Sequence, residues 1–157
     1  MNSPADDELD EPVTALSSGA ERADGESNIV LVDGSNVAHS TEGERPQLAN
    51  IIAVRRKLAD EGREPIVVVD ASLRHQIDDR AGYEQLVDDG IVRQAPAGTD
   101  ADYFLLSFAR ELDARIVSND RFRDRIKQFP ESIDRLVRFM ILENEVVFEW
   151  RAHKRAD

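Results

Sequence analysis

The sequence predicts an α/β fold of three layers, in which a mostly parallel sheet is covered by helices on both faces. The first observation is that two apolar runs, Ile29–Val32 and Pro65–Val69, show no polar alternation. Such runs are typical of strands that are buried on both faces, as in parallel sheets. The second observation is that strand-like runs alternate along the chain with segments of helical periodicity. The sequence contains no internal repeat, and nothing in it suggests a second domain.

The predicted elements follow in chain order. Strands are expected over residues 29–33, 65–70, 91–95 and 115–118, and residues 136–142 and 146–150 resemble a hairpin or a pair of edge strands. Helices are expected from Pro46 to about Glu61, from Tyr83 to a stop at Gly90, over 101–112 with Thr99 or Asp100 as N-cap, and over 121–129. Residues 71–80 are read as a polar loop or short turn.

The chain of 157 residues is long enough for one domain with a proper core. Residues 1–27 contain eight acidic residues and one basic residue with few apolar side chains, which predicts a disordered acidic leader. We therefore expect one domain over residues 28–150 and a polar tail over 151–157.

The charge balance is acidic, with 32 acidic against 20 basic side chains. Asp outnumbers Glu, only three of the basic residues are Lys, and Cys is absent, a composition that resembles proteins of halophilic archaea. The surplus of acid argues against a simple basic groove for nucleic acid, although it permits an enzyme that holds phosphate through a metal ion. Without Cys, disulfides and thiolate metal sites are excluded.

The sequence contains no apolar stretch of membrane-spanning length and no signal peptide pattern. A cytoplasmic location without a membrane partner is the default expectation. The sequence is compatible with a homo-oligomer.

Three aspartates recur at one structural place. Asp33 and Asp120 each come directly after a strand run, and Asp102 begins the helix after the third strand. In a parallel sheet these positions meet at the carboxyl edge, where ligands bind. Clustered carboxylates repel one another, and a hard divalent cation such as Mg²⁺ or Mn²⁺ removes that cost. The pattern indicates a site that could hydrolyse a phosphodiester.

Each acid also has an ordinary structural interpretation, because Asp after a strand is often a helix cap or turn former. Asp100 is either a metal ligand or the cap of the helix that contains Asp102, and the cap is favoured. Asp70 ends a strand and is either a further acid or a turn residue. Asp124 lies four residues after Asp120 in the predicted helix, so both face one side, where Asp124 either supports the site or pairs with Arg121 or Arg125.

Polar groups for a substrate follow the same logic. Arg121 and Arg123 are either part of a solvated helix face or hold phosphates that flank the scissile one. Arg74 is a weaker candidate for that role. Ser35 and Asn36 lie in the turn after the first strand and can reach the same space. The three histidines are scattered, and the glycine-rich nucleotide-binding motifs are absent.

Three motifs together resemble the Regnase-type (NYN) branch of the PIN-domain ribonucleases: Val32–Ala38, Ala101–Leu106 and Ile116–Asp124. The resemblance covers about residues 29–142. It implies a PIN-like Rossmannoid fold and Mg²⁺- or Mn²⁺-dependent cleavage of single-stranded or stem-loop RNA. By motif it assigns the metal to Asp33, Asp102 and Asp120, a positioning role to Asn36, and completion of the acidic cluster to Asp124. Relatives often carry two adjacent acids at the middle motif, whereas Ala101 precedes Asp102 here.

Three functions are therefore compared. The first is a metal-dependent endoribonuclease. The second is an RNA-binding or regulatory module that keeps the fold with little or no catalysis, which the Ala101 departure and the acidic surface favour. The third is a phosphatase or DNA nuclease that uses the same pocket.

Overall fold

The structure is a computed structural model, and it describes residues 28–151. Within that range one six-stranded sheet has the order β3-β2-β1-β4-β5-β6. The strands are β1 (Ile29–Asp33), β2 (Glu64–Val69), β3 (Val92–Gln94), β4 (Arg115–Val117), β5 (Leu136–Leu142) and β6 (Glu145–Glu149). The helices are α1 (Gly34–Ala38), α2 (Leu48–Asp60), α3 (Arg80–Asp88), α4 (Ala101–Leu112) and α5 (Ser132–Arg135), with 3-10 turns at Ala71–His75 and Arg123–Arg125.

The sheet is mostly parallel, which confirms the predicted fold class. The first five strands in this order pair in parallel, and only β6 runs antiparallel, against β5. Leu142 pairs with Glu145, so a two-residue turn joins these strands. Glu143 and Asn144 both have positive φ, as the tight hairpin turn that suits twisted strands requires. The predicted hairpin is therefore confirmed.

Two hydrophobic cores lie on opposite faces of the sheet. Val30 and Val32 of β1 join α2, through Ile51 and Leu58, in one core. Ile29 and Leu31 join α4, through Leu105, Leu106 and Ala109, in the other. Because both faces of β1 are covered, an uninterrupted apolar run forms this strand. The result is the expected three-layer sandwich.

The strand order places a crevice between β1 and β4. The chain winds outward in one direction through β2 and β3, and in the other through β4 and β5. Loops that leave the carboxyl ends of β1 and β4 therefore diverge to opposite sides of the sheet. In open α/β sheets such a switch point is where ligands bind.

The predicted helix over residues 121–129 is wrong. The segment forms only the 3-10 turn Arg123–Arg125, and Phe122 before it has a left-handed φ of 51°. The side chains of Phe122 and Phe129 are both buried in the core under α4. Burial of these two rings holds the segment as a compact loop, and the residue with positive φ interrupts helical hydrogen bonding. The apolar residues of this segment do reach the core, as their spacing indicated, but a loop rather than a helix places them there.

The expected helix from Pro46 begins two residues later, at Leu48. Its N–H donates to Asp78 Oδ1 at 3.0 Å, so a residue distant in sequence caps this helix. At the other end Gly62, with a φ of 82°, follows the last turn of the helix. The leader over residues 1–27 and nearly all of the tail over 151–157 lie outside the described residues. Over residues 28–151 no helix is long and apolar enough to span a membrane.

Candidate active site

The side chain of Ser118 joins the ends of the two central strands. Its Oγ donates a hydrogen bond to Asp33 Oδ2 at 2.8 Å and accepts one from the Asp120 N–H at 3.0 Å. Because Val32 pairs with Val117, the next residues, Asp33 and Ser118, leave the sheet side by side. The hydroxyl is fully buried with its residue. One serine therefore fixes two of the three predicted metal-site aspartates.

A second link between the same loops passes through two asparagines. Asn36 Oδ1 accepts from the Asn119 N–H at 2.9 Å. The Asn119 side chain in turn donates to the Phe139 carbonyl at 3.0 Å and accepts from the Phe139 N–H at 3.1 Å. The Asn36 N–H itself bonds Asp33 Oδ1 at 3.3 Å. Asn36 thus ties the start of α1 to the loop after β4, and its positioning role in catalysis stays a prediction.

Gly34 is needed for close approach to β2. A Cβ at this position would lie 2.5 Å from Val69 Cγ1 and 2.9 Å from Val67 Cγ1, well inside van der Waals contact. Gly34 begins α1 without an unusual φ, and the missing side chain lets α1 pack on the sheet directly behind Asp33.

Ser35 braces the ends of β1 and β2. Its Oγ accepts the Asp70 N–H at 3.0 Å. Asp70 itself caps the following 3-10 turn by accepting from the Ser72 N–H at 2.9 Å. The structure therefore gives Ser35 a structural contact at the sheet edge, whereas the sequence suggested contact with substrate.

Asp100 caps α4, as predicted, by accepting from the N–H groups of Asp102 and Tyr103. Its other oxygen pairs with the guanidinium of Arg125. This ion pair ties the start of α4 to the loop after β4. It leaves Asp102 in the first turn of α4, where its carboxylate is favoured by the helix dipole.

The carboxylates of Asp102, Asp120 and Asp124 line one open cleft of about 450 Å³, which we call the acidic cleft. Asp120 Oδ1 accepts the Phe122 N–H at 2.8 Å in a local turn. The expectation that Asp120 and Asp124 share a helix face is wrong because no helix forms there. The loop nevertheless brings both to the same cleft. Arg125, considered as a partner of Asp124, pairs with Asp100 instead.

The pKa values of Asp33 and Asp102 reflect both their burial and the negative charges near them. Burial raises the pKa of Asp33 to about 6, the hydrogen bonds from Ser118 and Asn36 oppose that rise, and the negative charges of Asp102 and Asp120 add to it. Burial also raises the pKa of Asp102, and Asp120, Asp70 and Asp124 push it in the same direction. Asp33, Asp102 and Asp120 therefore lie within range of each other's charge, on one side of the molecule.

The donor set suits a hard cation. The site offers carboxylate oxygens without His or Cys, and its repulsion is the kind that a divalent ion relieves. Over residues 28–151, however, no group of three or more His, Cys, Asp or Glu side chains is gathered closely enough to hold a metal ion. Fewer than three of these carboxylates would therefore contact an ion directly without movement. Mg²⁺ tolerates this arrangement because it commonly keeps several of its waters.

The three arginines predicted to hold substrate divide into two groups. Arg121 and Arg123 line the acidic cleft beside Asp120. Arg74 does not line it, and its guanidinium is engaged by Glu84, with Nε at 3.1 Å and Nη2 at 2.5 Å from Oε2. Glu84 is therefore the structural partner of Arg74, and a contact between Arg74 and substrate stays a prediction.

Sequence reasoning missed Ser118 and Asn119, and it set Asp70 aside. Ser118 was counted as the last residue of a strand, and its role depends on the register between β1 and β4. The available signal was three polar residues in succession after a buried strand, Ser118-Asn119-Asp120. Asp70 proves to be a turn former that also acts on the charge of Asp102.

The fold and the acids at the β1/β4 crevice define this class of protein as a PIN-like α/β sandwich. Residues 26–156 match the family model described as the Zc3h12a-like Ribonuclease NYN domain, and the chain belongs to that family. The family is one of RNA-cleaving nucleases.

Two solved structures have a similar fold. The nuclear proteinaceous RNase P 2 (PRORP2) of A. thaliana aligns with a TM-score of 0.67 and 18% identity over 97% of this chain and 37% of that one. A second structure of Arabidopsis thaliana nuclear protein-only RNase P 2 gives a TM-score of 0.62 and 20% identity, over 92% of this chain and 34% of the other. The chain therefore spans little more than a third of these structures. A comparison with curated proteins found no match.

Proposed function

We propose that this chain is a metal-dependent endoribonuclease, which hydrolyses phosphodiester bonds in single-stranded or stem-loop RNA. The observation that carries the proposal is that Ser118 holds both the Asp33 carboxylate and the Asp120 N–H at the carboxyl edge of the sheet, where Asp102 and Asp120 line one cleft. Membership of a ribonuclease family supports RNA as the substrate. A composition resembling that of halophilic proteins suggests that activity is best assayed at high salt.

In this proposal the three aspartates hold Mg²⁺ or Mn²⁺, partly through water, and Asp124 adds negative charge at the cleft. The ion, when bound, supplies an activated water and stabilises charge on the phosphoryl oxygen. The chain's own groups do the positioning. Ser118 and Asn36 hold the loops that carry Asp33 and Asp120 at a fixed separation, and such rigidity is what precise substrate placement requires.

Arg121 and Arg123 supply positive charge beside the acids. Both are exposed in the cleft lining, so their guanidinium groups can pair with phosphates on either side of the scissile one. Ser35 and Arg74 are weaker candidates for substrate contact in this proposal, since each has a structural partner.

The test is cleavage of single-stranded RNA with Mn²⁺ at high KCl, beside Asp33→Asn. The proposal expects cleavage by the unaltered chain and a loss of at least a hundredfold in the variant, because a fixed carboxylate ligand is removed. Asp60→Asn, on the exposed end of α2, is the matched control and should cleave normally. Equal rates for the unaltered chain and Asp33→Asn would falsify the assignment of Asp33. A panel of DNA and phosphomonoesters at the same salt separates RNA cleavage from the other hydrolytic activities.

A second candidate function is an RNA-binding module with weak or no catalysis. Two observations favour it. Within residues 28–151 no three acidic side chains gather closely enough to hold a metal ion, and position 101 holds alanine. RNA affinity that survives both EDTA and Asp102→Ala, in a chain that never cleaves, would select this function.

A further inference from the structure

A second cleft adjoins the acidic one, and four arginines line it. Arg121 and Arg123 belong to both clefts, and Arg138 and Arg151 extend the second along β5 and beyond the end of β6. We call it the arginine cleft. Its remaining lining is aliphatic, from Ile126, Ile133 and Leu136. A chain with a surplus of twelve negative charges thus gathers four positive groups around an apolar floor.

The arginines of this cleft are available to an anion. Arg121 and Arg123 are exposed. Arg151 lies 3.9 Å from Glu149, an exposed pair worth little in water and readily exchanged for a phosphate. Arg138 uses its Nε on Asn119 Oδ1 at 3.1 Å, which fixes the side chain at the mouth of the acidic cleft.

The aliphatic floor of the cleft suits an apolar ring system. Ile133 is 56% exposed, although it is a large hydrophobic residue at the start of α5. The cleft volume of about 250 Å³ lies just below the range of about 300–1,000 Å³ typical of small-molecule sites. A ligand that combines an anionic group with one planar ring system fits both the charge and the size.

We propose that the arginine cleft binds one unpaired nucleotide next to the scissile phosphate, with its base on the aliphatic floor and its phosphate on the arginines. This inference rests on the proposed function, because the shared residues Arg121 and Arg123 make the cleft continuous with the acidic site. A base in a duplex is stacked and paired, and it cannot lie on the floor. The bound strand must therefore be single-stranded on this side of the cleaved bond.

Binding without cleavage tests the phosphate contact. A fluorescent oligouridylate is titrated with the full chain in EDTA across a range of KCl concentrations. Loss of one phosphate contact in Arg151→Gln should lower the slope of log K against log[KCl] by about 0.7. The control Arg56→Gln removes an exposed arginine from α2, on the opposite face of the sheet, and should leave the slope unchanged.

A second variant tests the base contact. Ile133→Ser should weaken oligouridylate binding about fivefold without changing the salt slope, since it removes buried apolar contact and no charge. The control Ile52→Ser alters an exposed isoleucine of α2. A blunt-ended RNA duplex should bind more weakly than the oligouridylate and should not distinguish Ile133→Ser from the unaltered chain.

The inference is overturned if the unaltered chain does not bind the oligouridylate, or if Arg151→Gln and Ile133→Ser bind it as their controls do. Cleavage is measured separately with Mn²⁺. If the unaltered chain cleaves RNA but the cleft variants bind the oligouridylate as their controls do, the nuclease proposal stands and the arginine-cleft proposal fails. If binding depends on the cleft residues but no cleavage occurs, the arginine cleft binds RNA and the nuclease proposal fails.

Discussion

Ser118 Oγ donates to Asp33 Oδ2 at 2.8 Å, although 85 positions separate the two residues in the chain. The hydroxyl is buried, and it also receives the Asp120 N–H. Ser118→Ala should therefore cost about 1–3 kcal/mol of folding free energy, because two polar groups lose their buried partner. Urea denaturation measures this cost.

The same substitution should also raise the pKa of Asp33 further, because the lost hydrogen bond favours the charged carboxylate. The pH below which cleavage falls would then move upward. Ser40→Ala is the control, since it removes a hydroxyl whose bond, to the Val37 carbonyl, lies away from the acids. A pH profile that does not move in Ser118→Ala would contradict the bridging role.

Asp33 should make the metal-free protein less stable as the pH rises. Its folded pKa of about 6 lies above the ordinary value of 3.8, so folding takes up a proton between these values. The stabilisation is complete below about pH 4 and is lost as the pH rises through about 6, with an upper size of about 3 kcal/mol. Asp33→Asn should abolish this part of the pH dependence, measured by urea denaturation in EDTA from pH 4 to 8. The prediction is refuted if the difference in unfolding free energy between the two proteins stays constant from pH 4 to 8.

Divalent metal should stabilise the folded chain. Binding of Mn²⁺ at about 100-fold above its dissociation constant contributes about 2.7 kcal/mol, which raises Tm by several degrees. Asp102→Asn should reduce that increase, because it removes one of the carboxylates that repel each other in the acidic cleft. Asp88→Asn, exposed on α3, should keep the full increase. An equal Tm shift in all three proteins would place the ion elsewhere.

Gly34→Ala should both destabilise the fold and disturb Asp33. The new Cβ would lie 2.5 Å from Val69 Cγ1, so β2 and α1 must separate, at a cost of about 1–3 kcal/mol. Gly90→Ala is the contrasting variant, because its Cβ would have no neighbour within 4 Å and only its φ of 77° is unfavourable. Both variants should lower the midpoint of urea denaturation. Only Gly34→Ala should reduce the cleavage rate of the folded protein.

The sequence predicted the strands and α4 well because their signals are local. Uninterrupted apolar runs and the Asp100 cap need no knowledge of the rest of the chain. The loop around Phe122 could not be predicted this way, since its left-handed conformation depends on two rings finding the core under α4. The same holds for Ser118, whose partners are known only once β1 and β4 are in register. Asp33, Asp102 and Asp120 were found because parallel strands end at a common edge. Their roles in catalysis stay a prediction.

The side-chain amide of Asn119 makes the pair of hydrogen bonds that the backbone of a strand residue would make. It both donates to and accepts from the backbone of Phe139, so inter-strand bonding reaches two positions past Val117, where β4 ends. In the proposed nuclease, exchange of the exposed Arg121 and Arg123 would therefore alter contacts with RNA, while Asp33 and Asp102, which other segments carry, keep their positions.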